Sequence, residues 1–211
     1  MQLLLIAATE HEIRVSIQSS SGIDLLITGV GVPSTIYHLQ KRLHQLDYDM
    51  VIQAGIGGSF GESIQPGGVV LVGQDCFADL GTEENGSFQS VFNYGLSDPN
   101  EFPFEDGWLV NRSAAMNNSS LKKVKGVTVN TISDNLSQKQ RLESIYNPGV
   151  ESMEGAALHY VCLQEQIPFI QMRSISNPVG ERDRSKWLMA EAIENLNTEL
   201  NNLIQQIRST N

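Results

Sequence analysis

Early in the chain, short and largely apolar runs, the first of them unbroken, end repeatedly in a helix cap or a glycine turn: "LLLIAA" runs into "TEHE", "IDLLI" into "TGVG" and "YDMVIQ" into "AGIGGSFG". A strand with one wet face alternates polar and apolar residues, whereas an unbroken apolar strand is buried on both faces. Helices are what cover such strands. Pro33 stands near the start of "PSTIYHLQKRLHQL", where a missing N–H costs little, and Ile36, Leu39, Leu43 and Leu46 share one face of the predicted helix. Thr9 is placed to cap a helix, with Glu12 three positions on returning a bond to the cap amide. The recurrence predicts an α/β protein with a central sheet covered by helices.

The rest of the chain continues the pattern. "VVLVGQDCFADL", "VKGVTVNTIS" and "PFIQMRSIS" read as further strands, the first with a turn around Gly73. Helices are expected over Gln138–Ser144, over residues 154–165, and along the closing "RSKWLMAEAIENLNTELNNLIQQIR". In that last stretch Leu188, Ala192, Leu196, Leu200, Leu203 and Ile207 fall on one side. Residues 81–107 are rich in Gly, Asn, Ser, Pro and acids yet carry Phe88, Phe92, Phe102 and Phe104, which predicts an ordered excursion near a cleft or a subunit interface. At 211 residues, without tandem repeats, the whole chain 1–211 reads as one domain.

Charge and composition narrow the function classes. With 14 Lys plus Arg against 24 Asp plus Glu, a formal charge of -10 disfavours nonspecific binding to nucleic acid or an anionic membrane. A small anionic substrate stays open, because one local arginine outweighs distant net charge. Cys76 and Cys162 sit in apolar or strand-like surroundings and read as reduced structural thiols. The opening lacks a basic leader and no stretch approaches the roughly 20 apolar residues of a membrane span, so the expected compartment is the cytoplasm.

Candidate chemistry gathers in a few places. The glycine turns follow apolar strands, where an α/β fold binds ligands through free backbone amides, but they match neither a dinucleotide fingerprint nor a Walker motif. Glu12 can serve the capping box or direct a water, and both uses draw on the same oxygens. Glu154 is either an acid at a helix N-terminus or an acceptor for vicinal sugar hydroxyls. Arg173, Ser176 and Asn177 are released by a buried strand into the broken segment around Pro178 and Gly180; that pattern suits a site or a plain surface turn. The four histidines are not spaced as a metal or triad set, and no nucleophile elbow or CxxC occurs, so no metal or cofactor is expected.

In order along nearly the whole chain, "IAATEHEI", "TGVG", "VIQAGIGGSF", "ESMEGAAL" and "FIQMRSISN" resemble the nucleoside phosphorylase/nucleosidase superfamily, especially its methylthioadenosine/S-adenosylhomocysteine nucleosidases. Within it, "CFADLGTEENGSF" and "RSISNPVGERDRSKW" are most similar to the futalosine hydrolases, which remove hypoxanthine from futalosine in the alternative menaquinone pathway. Residues 81–107 are least covered. The resemblance implies a three-layer α/β/α fold whose central mixed sheet forms a partial barrel, a homodimer whose neighbour helps close the site, and a purine nucleoside substrate.

By motif it makes Glu12 the acid that positions the attacking water, Glu154 the acceptor for ribose hydroxyls, and Met153 the residue packed on the sugar. Arg173 and Ser176 become supports of the water and the purine-binding turn. Where adenine-specific relatives carry an aspartate, this chain has Asn177, whose amide donates to a base oxygen and accepts from a ring N–H, as a 6-oxopurine requires. Arg182, Arg184 and Trp187 are candidates for the benzoate-bearing extension of futalosine, against a plain solvated helix start, with the aromatic loop after Gly81 or the partner subunit as the alternative surfaces. The first glycine turns lack the arginine that phosphorolytic relatives use, which favours water as nucleophile. Other readings remain: an adenosine-type nucleosidase, another purine nucleosidase or phosphorylase, or a non-catalytic nucleoside-binding protein, the last disfavoured by the presence of both glutamates.

Overall fold

The structure is a computed structural model and describes residues 1–14, 17 and 22–209, with Asn118 described by its backbone alone. Among the described residues, ten strands and four α-helices follow one another along the chain. They are β1 (Leu3–Ala7), β2 (Ile23–Ile27), α1 (Val32–Leu43), β3 (Met50–Ser59), β4 (Val69–Asp75), β5 (Gly81–Glu84), β6 (Ser87–Ser90) and β7 (Leu109–Val110). After them come β8 (Lys122–Thr128), α2 (Leu136–Tyr146), β9 (Val150–Ser152), α3 (Gly155–Gln164), β10 (Phe169–Pro178) and α4 (Met189–Ser209).

β1 lies parallel between β2 and β3, with Leu3 beside Met50 and Ile6 beside Gln53. β3 is long enough to leave β1 behind: its far end pairs antiparallel with β9 through Gly58 and Ser59, while β10 runs parallel along its other edge. β10 pairs with β4, β4 with β8 and β8 with β9, which returns to β3. The mixed sheet thereby closes into a small barrel, as the family resemblance implies. Side chains of β1 alternate between its two buried faces. Leu3 and Leu5 join Leu196, Leu200 and Leu203 of α4, whereas Leu4 and Ile6 join Leu39 of α1 and Leu158 and Val161 of α3.

Several local expectations are corrected. The "AGIGGS" segment is not a turn but the continuation of β3, because Gly55, Gly57 and Gly58 let neighbouring groups approach the strand closely. Gly73 lies inside β4, where the pairing with β8 shifts register between Val72 and Gln74. Where a helix is expected after Thr9 the described residues form a 3-10 turn, Glu10–Glu12; the rest of that expectation falls largely on residues outside the described ones. Leu46 falls beyond the end of α1 and is exposed. α2 is longer than expected, because Asn135 caps it by accepting from the Gln138 N–H at 2.8 Å. The closing helix starts only at Met189, after a separate 3-10 turn over Arg184–Lys186, which leaves Leu188 off its buried stripe.

Residues 81–107 are ordered, as expected, through the β5–β6 hairpin and an edge-to-face contact of Phe92 with Phe104, whose ring lies 6.0 Å from Tyr160 of α3. None of them lines the cleft described below.

Candidate active site

A cleft of about 330 Å³ opens where β3, β9 and β10 end and the Glu10–Glu12 turn begins. Its lining includes Thr9, Glu12, Met153, Glu154, Ser176, Asn177 and Trp187, all but Thr9 singled out from sequence. Arg173 stands behind this wall. Arg182 and Arg184 are exposed and do not line the cleft, although the Arg184 guanidinium lies 5.9 Å from the Trp187 ring centre.

Glu12 performs its local task and still faces the cleft. Its Oε2 accepts from the Thr9 N–H at 2.9 Å and from the Thr9 hydroxyl at 3.2 Å, and its Oε1 accepts from the Ile56 N–H at 3.2 Å. A carboxylate offers about four lone-pair positions, so these contacts do not exhaust it. The backbone of the same turn is fixed from α4: Asn197 donates to the Glu12 carbonyl at 2.8 Å and accepts from the Arg14 N–H at 2.8 Å. Asn197 went unrecognised in sequence; the available signal was a polar residue beside the apolar stripe of α4. Gly55 is required here, because a Cβ would collide with the Arg173 guanidinium and lie 3.1 Å from Glu12 Oε1.

Glu154 directly precedes α3, yet its side chain makes no bond to cap that helix. Ser152 Oγ accepts from the Gly155 N–H at 3.3 Å and Thr128 Oγ1 from the Ala156 N–H at 2.7 Å, satisfying orphan donors of the helix start. Glu154 is thereby released to reach across the fold. Its Oε1 accepts from the Gly31 N–H at 3.0 Å, and its Oε2 lies 3.8 Å from Arg173 Nη2. The "TGVG" amide therefore serves a carboxylate, with Gly31 at φ +92 in a region that favours glycine. Burial pushes the Glu154 carboxyl above its ordinary value, while Arg173 and the Gly31 N–H pull it back. Arg173 is buried, donates to Gln53 Oε1 at 2.7 Å, and thus holds its charge beneath the carboxylates without entering the cleft.

Successive residues on a strand ordinarily face opposite ways, yet Ser176 and Asn177 both line the cleft. The β10 register against β3 shifts between Ile175 and Asn177, and a bulge of this kind re-aims side chains. Ser176 Oγ donates to Asn177 Oδ1 at 2.7 Å, and Asn177 Nδ2 donates to the Pro178 carbonyl at 2.9 Å. Because that carbonyl only accepts, it fixes which end of the amide is nitrogen. One amide N–H and one carbonyl lone pair remain. Trp187 is held by donating its indole N–H to the Glu181 carbonyl at 3.0 Å.

Two further lining residues, Glu151 and Ser133, were not singled out from sequence as site residues. No Lys or Arg is among the described lining residues, and no cluster of His, Cys, Asp or Glu among the described residues is arranged to hold a metal. No helix among the described residues is long and apolar enough to cross a membrane.

This fold and site define a class: the chain belongs to the phosphorylase superfamily, whose family model matches residues 10–209. Within it the chain is similar to futalosine hydrolase of Streptomyces coelicolor, at 31% identity over 195 residues covering 89% of this chain and 81% of the relative. It is also similar to futalosine hydrolase of Thermus thermophilus, at 25% identity over 189 residues covering 88% and 83%. Among solved structures, native futalosine hydrolase of Helicobacter pylori superposes with a TM-score of 0.80 at 14% identity, covering 98% of both chains. A mutant Helicobacter pylori methylthioadenosine nucleosidase with 5'-methylthioadenosine in its active site gives 0.82 at 14%, covering 97% and 98%.

Proposed function

We propose that the protein hydrolyses the N-glycosidic bond of futalosine, releasing hypoxanthine and dehypoxanthine futalosine. The observation that carries the base assignment is Asn177, fixed by Ser176 and Pro178 with one donor and one acceptor position left for a purine. The free N–H meets the oxygen of a 6-oxopurine; an adenine amino group at that position would meet a donor with a donor. As the glycosidic bond stretches, hydrogen bonds from this region stabilise charge developing on the departing base. Glu154 holds the ribose hydroxyls beside the forming oxocarbenium ion, and Glu12 directs a water onto the anomeric carbon. Water is favoured over phosphate because four acids (Glu12, Glu151, Glu154 and Glu181) line the cleft and no Lys or Arg among the described residues does.

The working unit in this reading is a homodimer. Val30, Ile132 and Met189 line the cleft yet are exposed, and a second copy over the mouth would cover them. Its compartment is the cytoplasm, in keeping with Cys76 and Cys162 as buried free thiols. Chromatography of products formed in phosphate-free buffer tests the activity: hypoxanthine from futalosine is expected. A strict need for phosphate, faster adenine release from methylthioadenosine, or tight nucleoside binding without cleavage would each overturn it.

A further inference from the structure

Glu151 is 5% exposed, lines the cleft and is tied by both carboxylate oxygens to one residue. The Ser133 N–H donates to Oε1 at 3.1 Å and the Ser133 hydroxyl to Oε2 at 2.5 Å. Ser133 is itself 1% exposed and also lines the cleft. Glu151 thus fixes the loop after β8 against β9, and Ser133 in turn fixes the carboxylate. Burial pushes the Glu151 carboxyl upward, while the two Ser133 donors and the charge of Arg182 oppose that shift.

The pairing register places this carboxylate opposite the base-reading amide. Gly58 of β3 pairs with Glu151 on one side and with Asn177 on the other. Two strand spacings, about 10 Å, separate the outer strands, and over the central Gly58 the Val179 side chain forms an apolar floor to the cleft, its methyl 3.0 Å from where a Cβ would stand. That width takes a flat bicyclic base with a hydrogen bond at either edge. A 6-oxopurine carries an N–H at ring position N1, next to its oxygen; adenine has a bare acceptor at N1. An ionised carboxylate only accepts, so it pairs with the first and repels the second.

We propose that Glu151, oriented by Ser133, is a specificity residue that accepts the N1–H of the 6-oxopurine while Asn177 serves the neighbouring oxygen. The assignment rests on the futalosine reading and adds a second, independent point of discrimination against adenine. Glu151→Gln is a sharp probe because its orientation is forced. The Ser133 N–H can only donate, so the Gln oxygen turns to it; the amide NH2 then faces the Ser133 hydroxyl and brings donors where the carboxylate supplied only acceptors.

The test is calorimetric binding of hypoxanthine, 1-methylhypoxanthine and adenine to the full-length wild type, Glu151→Gln and Ser133→Ala. The wild type is expected to prefer hypoxanthine to its N1-methyl analogue by roughly 100-fold, and Glu151→Gln to shrink that gap to about tenfold or less. Because Gln is isosteric, the bulk of the methyl group contributes equally to both proteins and cancels. The hypoxanthine-over-adenine ratio should fall in the same variant, and Ser133→Ala should lower it partway. An N1-methyl gap unchanged in Glu151→Gln, with wild-type preference for hypoxanthine over adenine intact, overturns the Glu151 assignment alone. Equal weakening of all three bases in both variants makes Glu151 a loop anchor and also rejects the assignment. A wild type that prefers adenine overturns the underlying base reading as well.

Discussion

At the open end of the barrel, Glu12 and Glu154 accept backbone N–H bonds and still face a cleft, with Arg173 of β10 behind them. Elsewhere on β10, Gln171 belongs to a polar cluster that faces no such cleft. Asp75 accepts from the Cys76 N–H at 2.8 Å, from Thr128 Oγ1 at 3.0 Å and from Gln171 Nε2 at 3.1 Å. His159 Nδ1 lies 2.8 Å from the Leu109 carbonyl, with its ring against Phe169. Burial lifts the Asp75 carboxyl to about 6 and draws the His159 imidazole down to about 4. Strongly perturbed titration therefore marks the sealed cluster, while chemistry has room only at the open one. Access and unspent lone pairs, more than the size of a shift, separate a candidate site from a buried knot.

The largest effect that could break this contrast is at Glu12. Glu12→Gln is expected to lower single-turnover hypoxanthine release by about 100- to 10,000-fold. It should also destabilise the fold by about 1 kcal/mol, because one amide oxygen cannot serve both the Thr9 and Ile56 N–H groups. Rapid-quench chromatography alongside urea unfolding separates the two; near-normal release would return Glu12 to capping alone.

The sealed cluster should answer in stability instead. Asp75 has a folded value of about 6 against an ordinary 3.8, so the folded state holds a proton that the unfolded chain releases, and stability falls as pH rises through that window. His159, at about 4 against 6.5, works oppositely: its contribution is present above 6.5 and is lost as pH falls toward 4. Each is worth up to about 3 kcal/mol, and the two nearly cancel between about pH 4 and 6. Asp75→Asn should thus lose stability on acidification across that range, whereas His159→Gln should gain it, with hypoxanthine release changed less than tenfold in either. Urea titrations at several pH values check this, and parallel profiles for the two variants would refute it.

Next in size is Glu154→Gln. Replacing the ionised acceptor that faces Arg173 should reduce kcat/KM on futalosine by roughly 10- to 100-fold, with KM raised as well as kcat lowered. An effect on kcat alone, with substrate affinity untouched, would remove Glu154 from sugar binding.

How much of the contrast could be read from sequence depends on distance along the chain. The alternation of buried runs and capped helices was legible because it is local, and so was the choice between two uses for Glu12, of which the folded chain displays the capping bonds and leaves the carboxylate on the cleft wall. For Glu154 the decision was not legible: its release from capping depends on Thr128, and its partner Gly31 lies 123 residues away. The same holds for Asn197 clamping the Glu12 backbone across the fold. The glycines of β3 read as a turn from sequence, and only the tertiary approach of Arg173, Glu12, Glu151 and Val179 explains why a strand should carry them. Ser133 and Glu151 look like ordinary polar residues until the closing of β8, β9 and β3 brings them to one wall.

The smallest expected effect lies at the rim. The benzoate carboxylate of futalosine cannot rest comfortably among the acids lining the cleft, so it should be received at or beyond the mouth, where Trp187 offers a flat surface and Arg184 stands 5.9 Å from its ring centre. Both rim arginines are exposed. Solvent screening limits what an exposed ion pair contributes, and about tenfold in kcat/KM is the most either should supply. Arg184→Ala should lower efficiency on futalosine by up to that factor and leave inosine nearly unchanged, because inosine has no extension to contact. Arg182→Ala should act less selectively, since the Arg182 charge bears on Glu151 and hence on the base shared by both substrates. Raising ionic strength should shrink the Arg184 effect, as an exposed pair requires. If Arg184→Ala affects futalosine and inosine equally, or its futalosine effect persists at high salt, the carboxylate is received elsewhere, and the second copy over the mouth becomes the place to look.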